Sequence, residues 1–284
     1  MRLANVNGRA VLVRDSGFVD LESASRGRIR SDPRTVLSSL AALREWLSGA
    51  SPEDTESLTP EQLIDSGRLG PVVPDPTQVF AVGLNYRSHA AEMGLTPPSQ
   101  PMIFTKFPSA LAGPTDGFRV PSASTDWEAE LVVVVGSRSR ALRVDAALGA
   151  VAGLCVGQDL SERALQMSGT PAQFSLGKSH AGFAPVGPWI TTLDDVADPQ
   201  DLRIECRVNA VLRQDSTTAD MVFTIAEIVA YLSSVVELRP GDLIFTGSPP
   251  GVGQGHRPPI FLAPGDVLET SIAGLGRLRN VATA

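Results

Sequence analysis

Three carboxylates stand at every second position of the stretch DWEAELVVVVG, residues 126–136: Asp126, Glu128 and Glu130. Alternate residues of a β-strand project from one face. A strand here therefore aims all three acids the same way, at the entrance to a run of leucine and valines apolar enough to be buried. Like charges on one face repel, and a buried carboxylate needs a partner or a metal. Oxygen ligands of this kind suit a hard cation, Mg²⁺, Mn²⁺ or Ca²⁺, rather than zinc. The competing reading is a solvated strand end, or charges that blunt a sheet edge. A fourth acid, Asp159, closes the apolar run VAGLCVGQD at 151–159, where a helix begins at Ser161. At that place it serves either as a ligand or as a cap.

Other segments carry different chemistry. In GLNYRSHAAEMG, residues 83–94, His89 and Glu92 lie three apart on one short helical turn between glycines. A carboxylate one turn from an imidazole orients it and raises its basicity, which makes a general base; a surface His–Glu pair without a role is the alternative. Arg163 and Gln166 share a face of the helix after Asp159, where a guanidinium can hold a substrate carboxylate in a bidentate pair or form a salt bridge to one of the acids. Lys178 lies inside the apolar, glycine-containing run FSLGKSHAGFAPVGPW, 174–189. The loop FTGSPPGVGQG, 245–255, is neither a Walker loop nor GxGxxG and is not read as nucleotide-binding; its backbone N–H groups and Thr246 can line a site for a carboxylate.

The elements that must position these residues are mostly short strands. Residues 1–25 hold three β-like pieces separated by Asn-Gly and Ser-Gly turns. A helix is expected over 34–48, with Val36, Leu37, Leu40, Leu43 and Leu47 on one stripe and Gly49 at its end. Residues 50–76, rich in Ser, Pro, Asp and Glu, read as a linker. Beyond them come many short strands, a helix over 224–236 and a shorter one over 161–169 with Ser161 as N-cap. The fold class is α+β, predominantly β, with a small N-terminal α+β domain over 1–70 and a catalytic domain over 71–284.

Composition narrows the function. The 284 residues are 43% hydrophobic, enough for a buried core, and no apolar run approaches the roughly 20 residues of a membrane span. The net charge of −7, with no cluster of Lys and Arg among aromatics, argues against nucleic acid as a partner. Cys155 and Cys206 make no disulfide framework and read as packing residues. The N-terminus has no signal-peptide core, and a cytoplasmic protein is expected.

In this order, VGLNYRSHAAEMG, PMIFTKFPSAL, DWEAELVVVVG, QDLSERALQ, LGKSHAGFAPVGPW and GDLIFTGSPPGVG resemble the fumarylacetoacetate hydrolase family over roughly residues 75–284. The resemblance implies a roll of mixed β-sheets, a homodimer and a bound Mg²⁺ or Mn²⁺. It places the metal ligands on Glu128, Glu130 and Asp159, with Asp126 just outside them, the lid dyad on His89 and Glu92, and the active-site lysine on Lys178. Substrate-binding positions fall on Arg163, Gln166, Thr246 and Tyr86. The implied substrate is a small 2-oxo acid and the leading reaction is hydrolysis of a C–C bond in a 2,4-diketo acid, an acylpyruvate or a relative of fumarylpyruvate. Decarboxylation of an oxaloacetate-like acid and isomerisation of a 2-hydroxyhepta-2,4-diene-1,7-dioate are the alternatives, and a catalytically silent metal-binding dimeric scaffold is the reading from another class. His180 and Ala181, after Lys178 and Ser179, depart from the family's usual bulky-then-polar pair and leave the substrate's identity open.

Overall fold

A computed structural model describes residues 1–284. Its main sheet has ten strands. The buried strand Ala129–Val135 lies at its middle, antiparallel to Val151–Gln158 on one side and to Leu243–Phe245 on the other. Leu243–Phe245 pairs in parallel with Val79–Gly83, and Met102–Thr105 forms that edge. Every residue of Ala129–Val135 is buried, as its unbroken apolar run requires, because both faces of the sheet are covered. A second sheet of five strands, built on Arg203–Val208, Val267–Ile272 and Gly276–Thr283, packs across this centre.

The expected N-terminal strands are Arg2–Val6, Arg9–Val13 and Phe18–Asp20. They extend the same large sheet, because Arg2–Val6 pairs antiparallel with Ala184–Thr192. Trp189 of that strand packs with Val6, Val11, Phe18, Leu63 and Ile64 in a small cluster of its own. Residues on both sides of position 70 thus share one sheet and this satellite core.

Two helix expectations need correction. The single helix over 34–48 is two, Pro33–Ser38 and Leu40–Ser48, broken at Ser39; the Ser39 hydroxyl donates to the Thr35 carbonyl, the local competition that serine offers to a helix interior. The helix after Asp159 is only Arg163–Gln166, and its N-cap is Glu162, not Ser161. Ser161 and Glu162 instead pair as a short strand with Thr125–Asp126. The helix Ile225–Val235 forms as expected, closed by a capping box between Thr224 and Glu227.

Candidate active site

Register brings the acids together. Gly157 stands opposite Glu130 and Gln158 opposite Ala129, so the strand that ends at Gln158 delivers Asp159 beside Glu128, whose carbonyl accepts from the Asp159 N–H at 2.9 Å. A side chain at Gly157 would collide with Val132 and Phe245, its Cβ falling 2.4 Å and 2.8 Å from their carbons; the close approach of the two strands therefore needs glycine here. One oxygen from each of Glu128, Glu130 and Asp159 lies within 4.8 Å of the others, and all three residues are buried.

Two lysines and an arginine meet these acids. Lys178 Nζ donates to Glu128 Oε2 and Asp159 Oδ2, both at 2.7 Å. Buried Lys106 bonds the other Asp159 oxygen and the Lys178 carbonyl. Arg163 places two nitrogens on Asp126 Oδ2, Nε at 2.8 Å and Nη2 at 2.7 Å, and reaches Glu128 through Nη1 at 2.7 Å. Burial alone would raise the Glu128 carboxyl, but the charges of Lys178 and Arg163 outweigh it and hold it at about 2. Glu130 behaves oppositely. Burial, then the charges of Asp159 and Glu128, push it well above the usual carboxylate range, against the charges of Lys178 and Lys106 and the Gly247 N–H, which favour its anion. Four carboxylates thus face three cations. With Glu130 ionised the cluster carries one surplus negative charge, and that charge, on oxygen donors alone, fits a divalent cation of the hard class.

Asp126 does not join the three. Its Oδ1 accepts from the N–H groups of Trp127 and Gly253, and its Oδ2 from Gln254 N–H and Arg163. It fastens Arg163 to the loop after Thr246.

The helix Arg87–Glu92 carries the paired imidazole and carboxylate. His89 Nδ1 lies 2.9 Å from Glu92 Oε2, and the other Glu92 oxygen accepts from Gly251 N–H at 2.8 Å. Burial alone would raise Glu92; its bonds to His89 and Gly251 lower it. With Glu92 ionised and accepting, Nδ1 is the protonated nitrogen and Nε2 is free to take a proton.

These residues, in this order, match the family model for the fumarylacetoacetate hydrolase C-terminal domain over residues 78–283. The chain belongs to the fumarylacetoacetate hydrolase family. It is 44% identical over 214 residues to the mitochondrial oxaloacetate tautomerase FAHD2B of Bos taurus, covering 75% of this chain and 68% of that one. A solved structure from Mycobacterium smegmatis, described as an HpcE protein, superposes with a TM-score of 0.92 at 46% identity, covering 100% of this chain and 99% of that one. The maleylpyruvate hydrolase of Sphingobium sp. SYK-6, solved with manganese(II) and pyruvate, gives a TM-score of 0.78 at 28% identity over 100% and 99% of the two chains.

In this family member a cavity of about 140 Å³ joins the two groups of residues: His89, Glu128, Arg163, Gln166 and Lys178 all line it. Tyr86 and Thr246, expected to bind substrate, are not among its lining residues. Tyr86 is fully buried at the start of the His89 helix, without a hydrogen bond from its hydroxyl. Thr246 is also fully buried and donates its hydroxyl to the Leu131 carbonyl at 2.8 Å. His180 packs against Phe183 at 5.0 Å between ring centroids, outside the lining. Lys106 had no role in the sequence reading. Its signals there were a lysine in the mostly apolar MIFTKF and the place of that segment among those that resemble the family. Ser248 and Gln254, which line the cavity, lie in the loop FTGSPPGVGQG, whose backbone and Thr246, not these side chains, were expected to act.

Proposed function

We propose that the chain is a divalent-metal-dependent hydrolase that cleaves a C–C bond of a 2,4-diketo acid, releasing pyruvate or a relative and a carboxylic acid. The observation that carries this reading is that His89, held by Glu92, lines one cavity with Glu128, a member of the buried acid cluster. Glu128, Glu130 and Asp159 would hold the cation, Mg²⁺ or Mn²⁺, which supplies Lewis-acid polarisation of the substrate's 2-oxo acid head. A divalent charge turns the site's one surplus negative charge into one positive, and the substrate carboxylate balances it. The manganese and pyruvate of the Sphingobium structure support both assignments.

His89 Nε2 takes a proton from water, and Glu92 stabilises the imidazolium. The hydroxide adds to the distal carbonyl. The bond between that carbon and C3 then breaks, its electron pair passing to C3 as the enolate of the pyruvate unit. Lys178 places an ammonium beside the charge that develops. Protonation at C3 completes pyruvate. Arg163 and Gln166, joined at 2.9 Å, offer polar groups to the substrate from the same wall. The reading includes a homodimer in the cytoplasm; no helix is long and apolar enough to cross a membrane.

The bovine relative favours a second reading, tautomerisation of oxaloacetate, in which the same imidazole moves a proton between C3 and solvent without bond cleavage. Product analysis separates them. Incubation of 2,4-dioxopentanoate with the Mn²⁺-loaded protein is expected to release pyruvate and acetate. Accelerated keto–enol exchange of oxaloacetate, with 2,4-dioxopentanoate left intact, would replace hydrolysis by tautomerisation.

A further inference from the structure

The cavity has two unlike ends. Its charged groups gather at the acid cluster, and both permanent cations are engaged there by the protein itself: Arg163 by Asp126 and Glu128, and Lys178 by Glu128 and Asp159. Eight of the sixteen lining residues are hydrophobic, and Gly83, Gln166, Ser248 and Gln254 are the uncharged remainder. Phe104 and Phe174 meet edge to face at 5.7 Å on one side. Met93, Leu95, Met102 and Met167 add flexible apolar side chains to the lining. Leu95 and Met167 are 51% and 54% exposed, large apolar side chains left in water beside the opening. No further Lys or Arg lines the cavity.

We infer that the group beyond the 2-oxo acid head is an uncharged alkyl or aryl chain, and that substrates with a second, terminal carboxylate are selected against. A distal carboxylate would lose its water against thioethers and rings with no cation to replace it, which is costly. An apolar tail would instead bury itself and cover Leu95 and Met167. Methionine adapts its shape to tails of different form. This inference rests on the reading of the cavity as a 2-oxo acid site and adds the chemistry of the tail. It separates the chain from oxaloacetate and maleylpyruvate, the compounds named for two of its relatives, each of which carries two carboxylates.

Binding tests it apart from cleavage. 2-Oxohexanoate and 2-oxohexanedioate have the same chain length and differ in the terminal carboxylate; neither is a 2,4-diketo acid, so neither is hydrolysed. Titration calorimetry on the Mn²⁺-loaded protein should find the monoacid at least tenfold tighter. Affinity should rise by up to about fourfold per methylene from 2-oxobutanoate to 2-oxohexanoate. Met167→Arg, at the exposed rim where folding tolerates it, should narrow the preference or reverse it. Equal or tighter binding of the diacid by the unaltered protein, no dependence on tail length, or no binding of either acid overturns the inference. A protein that shows the tail preference yet leaves 2,4-dioxohexanoate uncleaved keeps the inference and loses only the hydrolase reading.

Discussion

Glu130 and Lys178 hold the site's charge balance from opposite sides. Lys178 is a buried ammonium that burial would discharge, but Asp159 and Glu128 raise it and keep it charged. Glu130 is the acid whose anion the protein's own cations satisfy least. Its carboxyl lies well above the 4.5 of an ordinary glutamate, so between 4.5 and that raised value the folded protein holds a proton that the unfolded chain has released. In that window stability falls as pH rises. Glu128, held at about 2, works the other way: its contribution is complete above 4.5 and is lost as pH falls toward 2. A cation that binds Glu130 as an anion must displace its proton. The gain in melting temperature on adding Mn²⁺ should therefore be larger at pH 8 than at pH 5.5, and Glu130→Gln should remove most of the difference. An equal gain at both pH values, read by differential scanning calorimetry, would contradict the charge assignment. The alternation in DWEAE marked three acids on one face, with a solvated strand end as the competing reading, and only the family resemblance narrowed them to Glu128 and Glu130. What decides between them, Lys178 and Arg163 on Glu128 and neither directly on Glu130, is a contact across 35 to 50 residues that local spacing does not carry.

The loop Gly247–Gly255 organises both halves of the site. Gly251 N–H holds Glu92, Gly253 and Gln254 N–H groups hold Asp126, and Gly247 N–H holds Glu130. At Gly255 a Cβ would fall 2.5 Å from the Glu92 carboxyl carbon. Gly255→Ala should therefore displace Glu92, misorient His89 and lower turnover by up to the roughly 10²–10⁴-fold that general-base catalysis is worth. Mn²⁺ affinity should be unchanged, because the three acids do not touch Gly255. Loss of metal binding in parallel with activity would show that the loop acts through the acids instead. This loop was legible as glycine-rich and not nucleotide-binding, but its work is done by backbone N–H groups, which carry no residue identity. The same limit explains the helix after Asp159. Ser161 and Glu162 are both credible caps by type, and the choice fell to Glu162 because Ser161 is taken into a strand with Asp126. His89 and Glu92 were readable because their spacing lies within one turn.

Across the whole molecule, the N-terminal strands complete a sheet whose centre holds the site. Arg2–Val6 covers the edge of Ala184–Thr192, and Trp189 is buried against Val6, Val11 and Phe18. We propose that the boundary near residue 70 separates sequence that carries chemistry from sequence that does not, while folding crosses it. A chain of residues 71–284 would expose that strand edge and Trp189, a template for aggregation. It should elute as aggregate on gel filtration or melt well below the full chain; a monodisperse fragment with an unchanged melting temperature would mean two independent units. The linker's Ser, Pro and acidic residues suggested separation, and composition alone does not reveal that strands on either side of it pair. In the proposed reaction His89 activates water for C–C cleavage beside the acid cluster, which makes the rate of pyruvate release from an acylpyruvate by the Mn²⁺-loaded protein and by its His89→Ala variant the decisive comparison. Turnover by the unaltered protein is expected, with a fall of about 10²–10⁴-fold in the variant and Mn²⁺ affinity retained. No pyruvate release from the unaltered protein, or an undiminished rate in His89→Ala, would contradict it.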